Sequence, residues 1–516
     1  MLRKLRLILR LLVVAVVLVF VTFLGTRIYY AQSGAPLEPW HTFVPHELSI
    51  AELDGADWAA YLAAEERAFA EVEREVVQKL PEDERIPSNR YFSGSVVYPP
   101  HLARDWNRSY TLEAEGTPKG AVVLLHGLTD SPYSLRHVGR LYASAGYAVV
   151  APRLPGHGTV PAGLTTVEWE DWLAATRLAV REARRRAGDT GQLHIVGFSN
   201  GGALALKYAL DALDDPKQPR VDRLILISPM IGITAFARFA GLAGLPALLP
   251  AFAKAAWLGV IPEFNPFKYN SFPVNGARQS HRLTAALQDS IARRAQAGGL
   301  GELPPALTFQ SVMDFTVSTR AIVNAFYGLL PDNGSELVLF DINRDTKLGP
   351  LLRATTYDAL TRTLPPAPRR FESTIITNVA GNDAVVERST PAGATQESER
   401  ALGLSYPRDV YSLSHVALPF PPTDGLYGSN PDPADNQGLE LGAMAVRGER
   451  GALIVNLDAL VRMSSNPFYD YLAARIAADI GAPPPGRTTA PPAGSAASPV
   501  TDEVLPIEPP PASPAP

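Results

Sequence analysis

Gly197-Phe198-Ser199-Asn200-Gly201 stands between the apolar run Leu193-His194-Ile195-Val196 and the helix-forming run Gly202-Ala203-Leu204-Ala205-Leu206. A serine between glycines at a strand-to-helix junction restricts the chain to a sharp turn, because the glycines leave room for a strained backbone and for close helix packing. Ser199 then projects its hydroxyl at the start of a helix, in position to act as a nucleophile. Val122-Val123-Leu124-Leu125, Tyr147-Ala148-Val149-Val150-Ala151 and Leu224-Ile225-Leu226-Ile227 read as buried strands. Helical patterns lie between them, as over 169–186. The alternation predicts an α/β fold with a mostly parallel central sheet flanked by helices.

A nucleophilic serine needs a base. With the order serine, acid, histidine, His281 and His415 are the histidines downstream of Ser199. His281 sits at the edge of a stretch that reads as an inserted helical segment, with no acid after a strand between it and the serine. His415, in the loop-like stretch Tyr411-Ser412-Leu413-Ser414-His415-Val416, is the first candidate. The acid belongs just beyond a strand, where it fixes the imidazole tautomer and stabilises the imidazolium. Asp314, closing the apolar run 307–313, is preferred; Asp341, ending the run 337–340, is the competitor. A whole strand should separate acid from histidine in this order, and 337–340 can supply it. The oxyanion needs two backbone N–H donors, one from the residue after the nucleophile and one from a loop after an earlier strand. Asn200 and Leu128 occupy those positions, and His126, upstream of the serine, is expected to support the loop from beneath.

Four motifs follow in order: His126-Gly127-Leu128, Arg153-Leu154-Pro155-Gly156-His157-Gly158, Trp169-Glu170-Asp171-Trp172 and Gly197-Phe198-Ser199-Asn200-Gly201-Gly202. Together they resemble the bacterial carboxylesterase and monoacylglycerol-lipase branch of the α/β-hydrolases, closely over 118–232 and more loosely through Asp314 to His415. The resemblance implies an α/β-hydrolase fold and a serine hydrolase that cleaves small ester or lipid-like substrates through an acyl-enzyme. Asn200 stands where that family often has methionine or leucine, and the interval between Asp314 and His415 is longer than usual. No metal or organic cofactor is required. A peptidase or thioesterase would share the same catalytic set and differ in its pocket; a non-catalytic, membrane-anchored interaction protein is the remaining alternative.

At 516 residues the chain suits one catalytic domain with appendages. A net charge of −5, mixed along the sequence, gives no electrostatic footprint for nucleic acid. With no cysteine, a thiolate ligand and a cysteine nucleophile are excluded.

Arg3, Lys4, Arg6 and Arg10 precede the apolar run 11–24, and Arg27 follows it. This reads as a signal sequence or a membrane anchor. Tyr29-Tyr30-Ala31 puts an aromatic where cleavage needs a small residue, which favours the anchor. The uncharged run is shorter than the ~20 residues of a spanning helix, and Arg10 and Arg27 extend it by snorkelling. The basic flank predicts a single-pass protein of the inner (cytoplasmic) membrane, with its N-terminus in the cytoplasm and its catalytic domain on the periplasmic side.

The expected organisation is an anchor over 1–30, a helical extension over 31–109, a catalytic domain over 110–480 and a Pro/Ala-rich disordered tail over 481–516. In the extension, Ser49 and Glu52 form a capping box for one helix running to about Leu80, striped by Trp58, Tyr61, Leu62, Phe69, Val72 and Val76. A cap insertion over 233–306, with Phe236, Phe239, Leu242, Leu245, Leu248, Leu249, Phe252 and Trp257, would roof the serine. A second insertion, 342–410, carries no readable motif.

Overall fold

The protein is represented by a computed structural model that describes residues 2–114, 116–232, 245–445 and 453–481. Twelve described strands follow one another as β1 (Tyr110–Leu112), β2 (Gly120–Leu125), β3 (Tyr147–Ala151), β4 (Gln192–Phe198), β5 (Arg223–Ile227), β6 (Trp257–Gly259), β7 (Phe272–Pro273), β8 (Ala306–Ser311), β9 (Glu336–Phe340), β10 (Glu372–Val379), β11 (Asn382–Thr390) and β12 (Ser398–Ser405). Ten form one sheet in the order β1-β3-β2-β4-β5-β8-β9-β10-β11-β12, and β6 and β7 form a separate ribbon. The seven strands from β3 to β10 in that order are mutually parallel; β1 at one end and β11 and β12 at the other are antiparallel. This is the α/β-hydrolase fold.

The strands alternate their side chains between two apolar layers. Ala121, Val123 and Leu125 of β2 enter one core and Val122 and Leu124 the other, as period-two geometry requires of a sheet covered on both faces. β1 and β2 do not pair with each other; each pairs with β3. The motif-free stretch 342–410 holds β10, β11 and β12. It extends the sheet: β10 continues the parallel ladder from β9.

The helix expected to run from Ser49 to about Leu80 is divided. Ser49 caps only Ile50–Gly55, and Ala56 is extended. Asp57 then caps a second helix, Trp58–Val72, by accepting the Ala60 N–H at 2.8 Å. The expected stripe begins at Trp58, after the break, and so does not register it; Leu53 before the break and Trp58 and Tyr61 after it all join the main core. Two carboxylates from this extension clamp Arg153 of the Arg-Leu-Pro-Gly-His-Gly stretch. Its terminal nitrogens donate to Glu47 at 2.7 and 2.9 Å, and its Nε donates to Glu65 at 3.1 Å. Glu47 also accepts the Gly156 N–H at 3.0 Å.

A 32-residue helix, Leu2–Ser33, opens the chain. Its Arg3–Tyr29 portion is long and apolar enough to cross a membrane, a test that a signal sequence also passes. Beyond its charged flank, Gln32 Nε2 donates to the Ala251 carbonyl at 2.7 Å and Lys254 Nζ to the Gly34 carbonyl at 3.2 Å. Of the apolar positions read as a cap, Phe236, Phe239 and Leu242 lie outside the described residues, as do 482–516. Leu249 is exposed, whereas Trp257 is buried. The end of the segment belongs to the flanking layer: on helix Val274–Gln296, Leu283, Leu287 and Ile291 are core residues.

Candidate active site

Ser199 sits between β4 and helix Asn200–Asp211 with φ 55° and ψ −113°. A non-glycine residue there carries about 1–3 kcal/mol of backbone strain. The surrounding sequence makes room for the turn. A Cβ on Gly201 would lie 2.0 Å from the Leu125 carbonyl oxygen, one on Gly197 2.4 Å from the Gly201 oxygen, and one on Gly202 2.8 Å from Pro229. The neighbouring strand holds the turn, with Ser199 N–H donating to Ile227 O at 3.0 Å and Met230 N–H to Ser199 O at 2.9 Å.

His415 lies in a loop beyond β12. Its Nε2 is 2.9 Å from Ser199 Oγ and its Nδ1 is 2.7 Å from Asp314 Oδ2. An ionised carboxylate can only accept, so Nδ1 carries the proton and Nε2 is left to accept from the serine hydroxyl. The ring stacks on Phe198 at 5.3 Å between centroids. The Ser311 hydroxyl at the end of β8 donates to Leu413 O, and Ser414 Oγ to Arg462 O, both at 2.9 Å, which fixes the loop on either side of the histidine.

Asp314 follows β8 by three residues, and its side chain is fully buried. Oδ1 accepts the N–H groups of Thr316 and Val317 at 2.7 and 2.9 Å, and Gln310 Nε2 donates to Oδ2 at 3.2 Å. Burial opposes the charge, but the His415 ring and the two backbone donors outweigh it and hold the carboxyl below its usual range. Asp341, the competing acid, is bonded instead to Arg344 and to the Thr377 hydroxyl, each at 2.9 Å. His281 lies on helix Val274–Gln296, in no hydrogen bond with Ser199.

The Leu128 and Asn200 N–H groups are donated to no acceptor among the described residues. Asn200 is the first residue of its helix, where an amide has no intrahelical partner and the helix dipole favours negative charge. His126 supports the loop that carries Leu128: its Nδ1 is 2.9 Å from Gly127 O and its Nε2 accepts the Leu154 N–H at 3.0 Å. Burial holds its pKa well below the ordinary value, so the ring stays neutral.

Sequence reasoning did not find Phe198, Gln310 or Ser311 as supports. They lie on strands whose buried runs carry no sign of which side chain will face a loop from elsewhere in the chain. Among the described residues, His137, Asp424 and Asp435 have the spacing of metal ligands. Arg136 already bonds both carboxylates, and Tyr133 also donates to Asp424, so the donor set reads as an ion-pair knot and not a metal centre.

A serine on a strained strand-to-helix turn of a parallel sheet, bonded to a histidine that is bonded to a buried aspartate, is the arrangement that recurs in α/β-hydrolases. Residues 116–294 match the family described as serine aminopeptidase, S33. The chain is 30% identical over 207 residues to a thermostable monoacylglycerol lipase of Bacillus sp. (strain H-257), covering 40% of this chain and 74% of that protein. It is 32% identical over 87 residues to a carboxylesterase of Bacillus subtilis (strain 168), covering 17% of this chain and 35% of the relative. A solved structure from work on LipS and LipT, two metagenome-derived lipolytic enzymes, is 24% identical, with a TM-score of 0.36 and coverage of 46% of this chain and 87% of that one. The chain belongs to the α/β-hydrolases.

Proposed function

We propose that this protein is a serine hydrolase of carboxylic esters that works through an acyl-enzyme on Ser199. The observation that carries the reading is the unbroken relay from Ser199 Oγ to His415 Nε2 and from His415 Nδ1 to Asp314, at 2.9 and 2.7 Å. His415 takes the hydroxyl proton as the oxygen attacks the ester carbonyl, and Asp314 stabilises the imidazolium that forms. The Leu128 and Asn200 N–H groups receive the oxyanion. The imidazolium gives its proton to the departing alcohol, and a water activated by the same histidine then releases the acid. Esters are chosen over peptides and thioesters because the matched relatives are named as a lipase and a carboxylesterase.

In this reading residues 110–480 form the catalytic domain. Residues 1–30 anchor the protein, with the basic flank in the cytoplasm and the catalytic domain across the membrane. The test is labelling with a fluorophosphonate, which esterifies an activated serine, together with hydrolysis of p-nitrophenyl esters of short and long acyl chains. Wild type should label and turn over. Ser199→Ala should do neither, and His415→Ala should lose nearly all of both. An unlabelled wild type sinks the proposal, and labelling combined with cleavage of aminoacyl-p-nitroanilides in place of esters converts it to a peptidase.

A further inference from the structure

We infer that the ester hydrolysed at Ser199 carries an anionic group, carboxylate or phosphate, and that Lys268 and Arg462 bind it at the mouth of the site. The inference rests on the reading of Ser199 as the nucleophile.

The segment carrying Lys268 is fastened to the loop that offers the Leu128 N–H. On one side Phe267 stacks on Tyr133, at 4.3 Å between centroids; on the other, the Tyr269 N–H donates to Thr129 O at 2.7 Å. Arg462 is fastened to the opposite arm. Its guanidinium donates to Thr316 Oγ1 at 2.6 Å, next to the residues that bind Asp314, and its carbonyl accepts from Ser414, the neighbour of His415. One cation therefore adjoins the oxyanion loop and the other adjoins the acid and histidine loops. The Arg462 charge reaches the Lys268 ammonium.

These two cations differ from three arginines that are paired with carboxylates. Arg153 is neutralised by Glu47 and Glu65, Arg136 by Asp424 and Asp435, and Arg223 by Asp479. Among the described residues, the Lys268 ammonium makes no hydrogen bond and has no carboxylate within 4.0 Å, though its residue is partly buried. Among the described residues, Arg462 has only the neutral Thr316 hydroxyl as a side-chain partner. Asp130 acts on Lys268 from further away, and its own carboxylate accepts the Gly127 N–H at 3.3 Å. Asp314 is turned inward to His415. A partly desolvated ammonium without a close counter-charge is costly unless an anion joins it.

The test compares matched ester pairs on wild type, Lys268→Met, Arg462→Met and Lys268→Glu, each checked for an unchanged unfolding midpoint. p-Nitrophenyl butyrate against p-nitrophenyl hydrogen glutarate puts the anion on the acyl half. Butyryl glycerol against butyryl glycerol phosphate puts it on the alcohol half. The inference expects wild type to prefer the anionic member of one pair, which identifies the half, and expects added salt to erode that preference. Lys268→Met should cut kcat/KM for that member by roughly 10–100-fold, the scale of a lost charge-assisted contact. The neutral partner should change little, Arg462→Met should act in the same direction, and Lys268→Glu should shift preference toward the cationic ester butyrylcholine.

Neutral esters hydrolysed with no anionic preference in either pair would overturn it. So would an equal loss on both members in Lys268→Met, which would make Lys268 an aid to the oxyanion and not a substrate-binding group. If wild type hydrolyses none of the esters and does not react with the fluorophosphonate, the nucleophile assignment fails and this inference falls with it.

Discussion

Glu47 and Arg153 meet as a two-pronged pair, with both carboxylate oxygens on both terminal guanidinium nitrogens at 2.7 and 2.9 Å. The pair joins the N-terminal extension to the stretch that runs on to His157, and Glu65 completes it from a helix of the same extension. Arg153→Met would leave Glu65 buried without its counter-charge. Removing one partner of a buried pair costs about 3–5 kcal/mol, so urea unfolding should show a loss on that scale. The double variant Arg153→Met/Glu65→Gln should recover part of it; a single variant as stable as wild type would mean that the clamp contributes nothing.

Asp314→Asn should preserve folding and lower kcat by on the order of 10⁴-fold, because an amide cannot hold the Nδ1–H tautomer. Since the Asp314 pKa lies below its usual value, the stability it contributes is present above the unfolded-state value of about 3.9 and is lost as pH falls through the lower folded-state value. Acid inactivation that begins well above the ordinary carboxylate range therefore should not come from this residue. Rates of Ser199 labelling against pH in wild type and Asp314→Asn check both points.

His41, His126, His157 and His194 are buried in neutral form, with burial pushing His126 well below its ordinary value, His41 down to about 4 and His157 and His194 down to about 3. The unfolded chain takes up these protons below about pH 6.5, whereas the folded chain does not until pH approaches those lower values. Stability should therefore fall as pH is lowered from about 6.5 toward 4, by up to about 1.4 kcal/mol per pH unit for each histidine. Urea midpoints across that range measure the slope, and His194→Gln should make it shallower.

Gly201→Ala should destabilise the protein by about 3 kcal/mol, the upper end for overpacking, since the added methyl meets backbone atoms that cannot yield. An unaltered thermal midpoint would contradict the close approach to Leu125.

If the helix Leu2–Ser33 spans a bilayer, the full chain should remain with membranes after carbonate washing. The chain without residues 1–34 should be soluble, with an unchanged rate on water-soluble esters. Full-length protein recovered in the soluble fraction would count against the anchor.

The Ser199 turn was legible because its steric demands are local: the glycines must stand within a few residues of the serine they accommodate. Asp314 and His415 are 101 residues apart, so sequence could only rank them against Asp341 and His281 by chain order. The strands of 342–410 escaped notice because β11 and β12 are mixed and polar; of β12, Ser398, Glu399 and Arg400 are all exposed. The clamp on Arg153 left no trace, because ion pairs between distant segments impose no spacing on either. The helix break at Ala56 left no mark on the stripe, which begins after it at Trp58.

β12 ends the great sheet with one flank open to water, and an open strand invites another to zip onto it. Here the invitation is withdrawn: Arg388 faces Glu399 across the last ladder, Arg400 faces Glu387, and Gly403 has a positive φ. Charges along such a margin make the stacking of further chains unfavourable. A ten-stranded sheet with this border can remain a solitary particle at concentrations where a bare margin would seed aggregation.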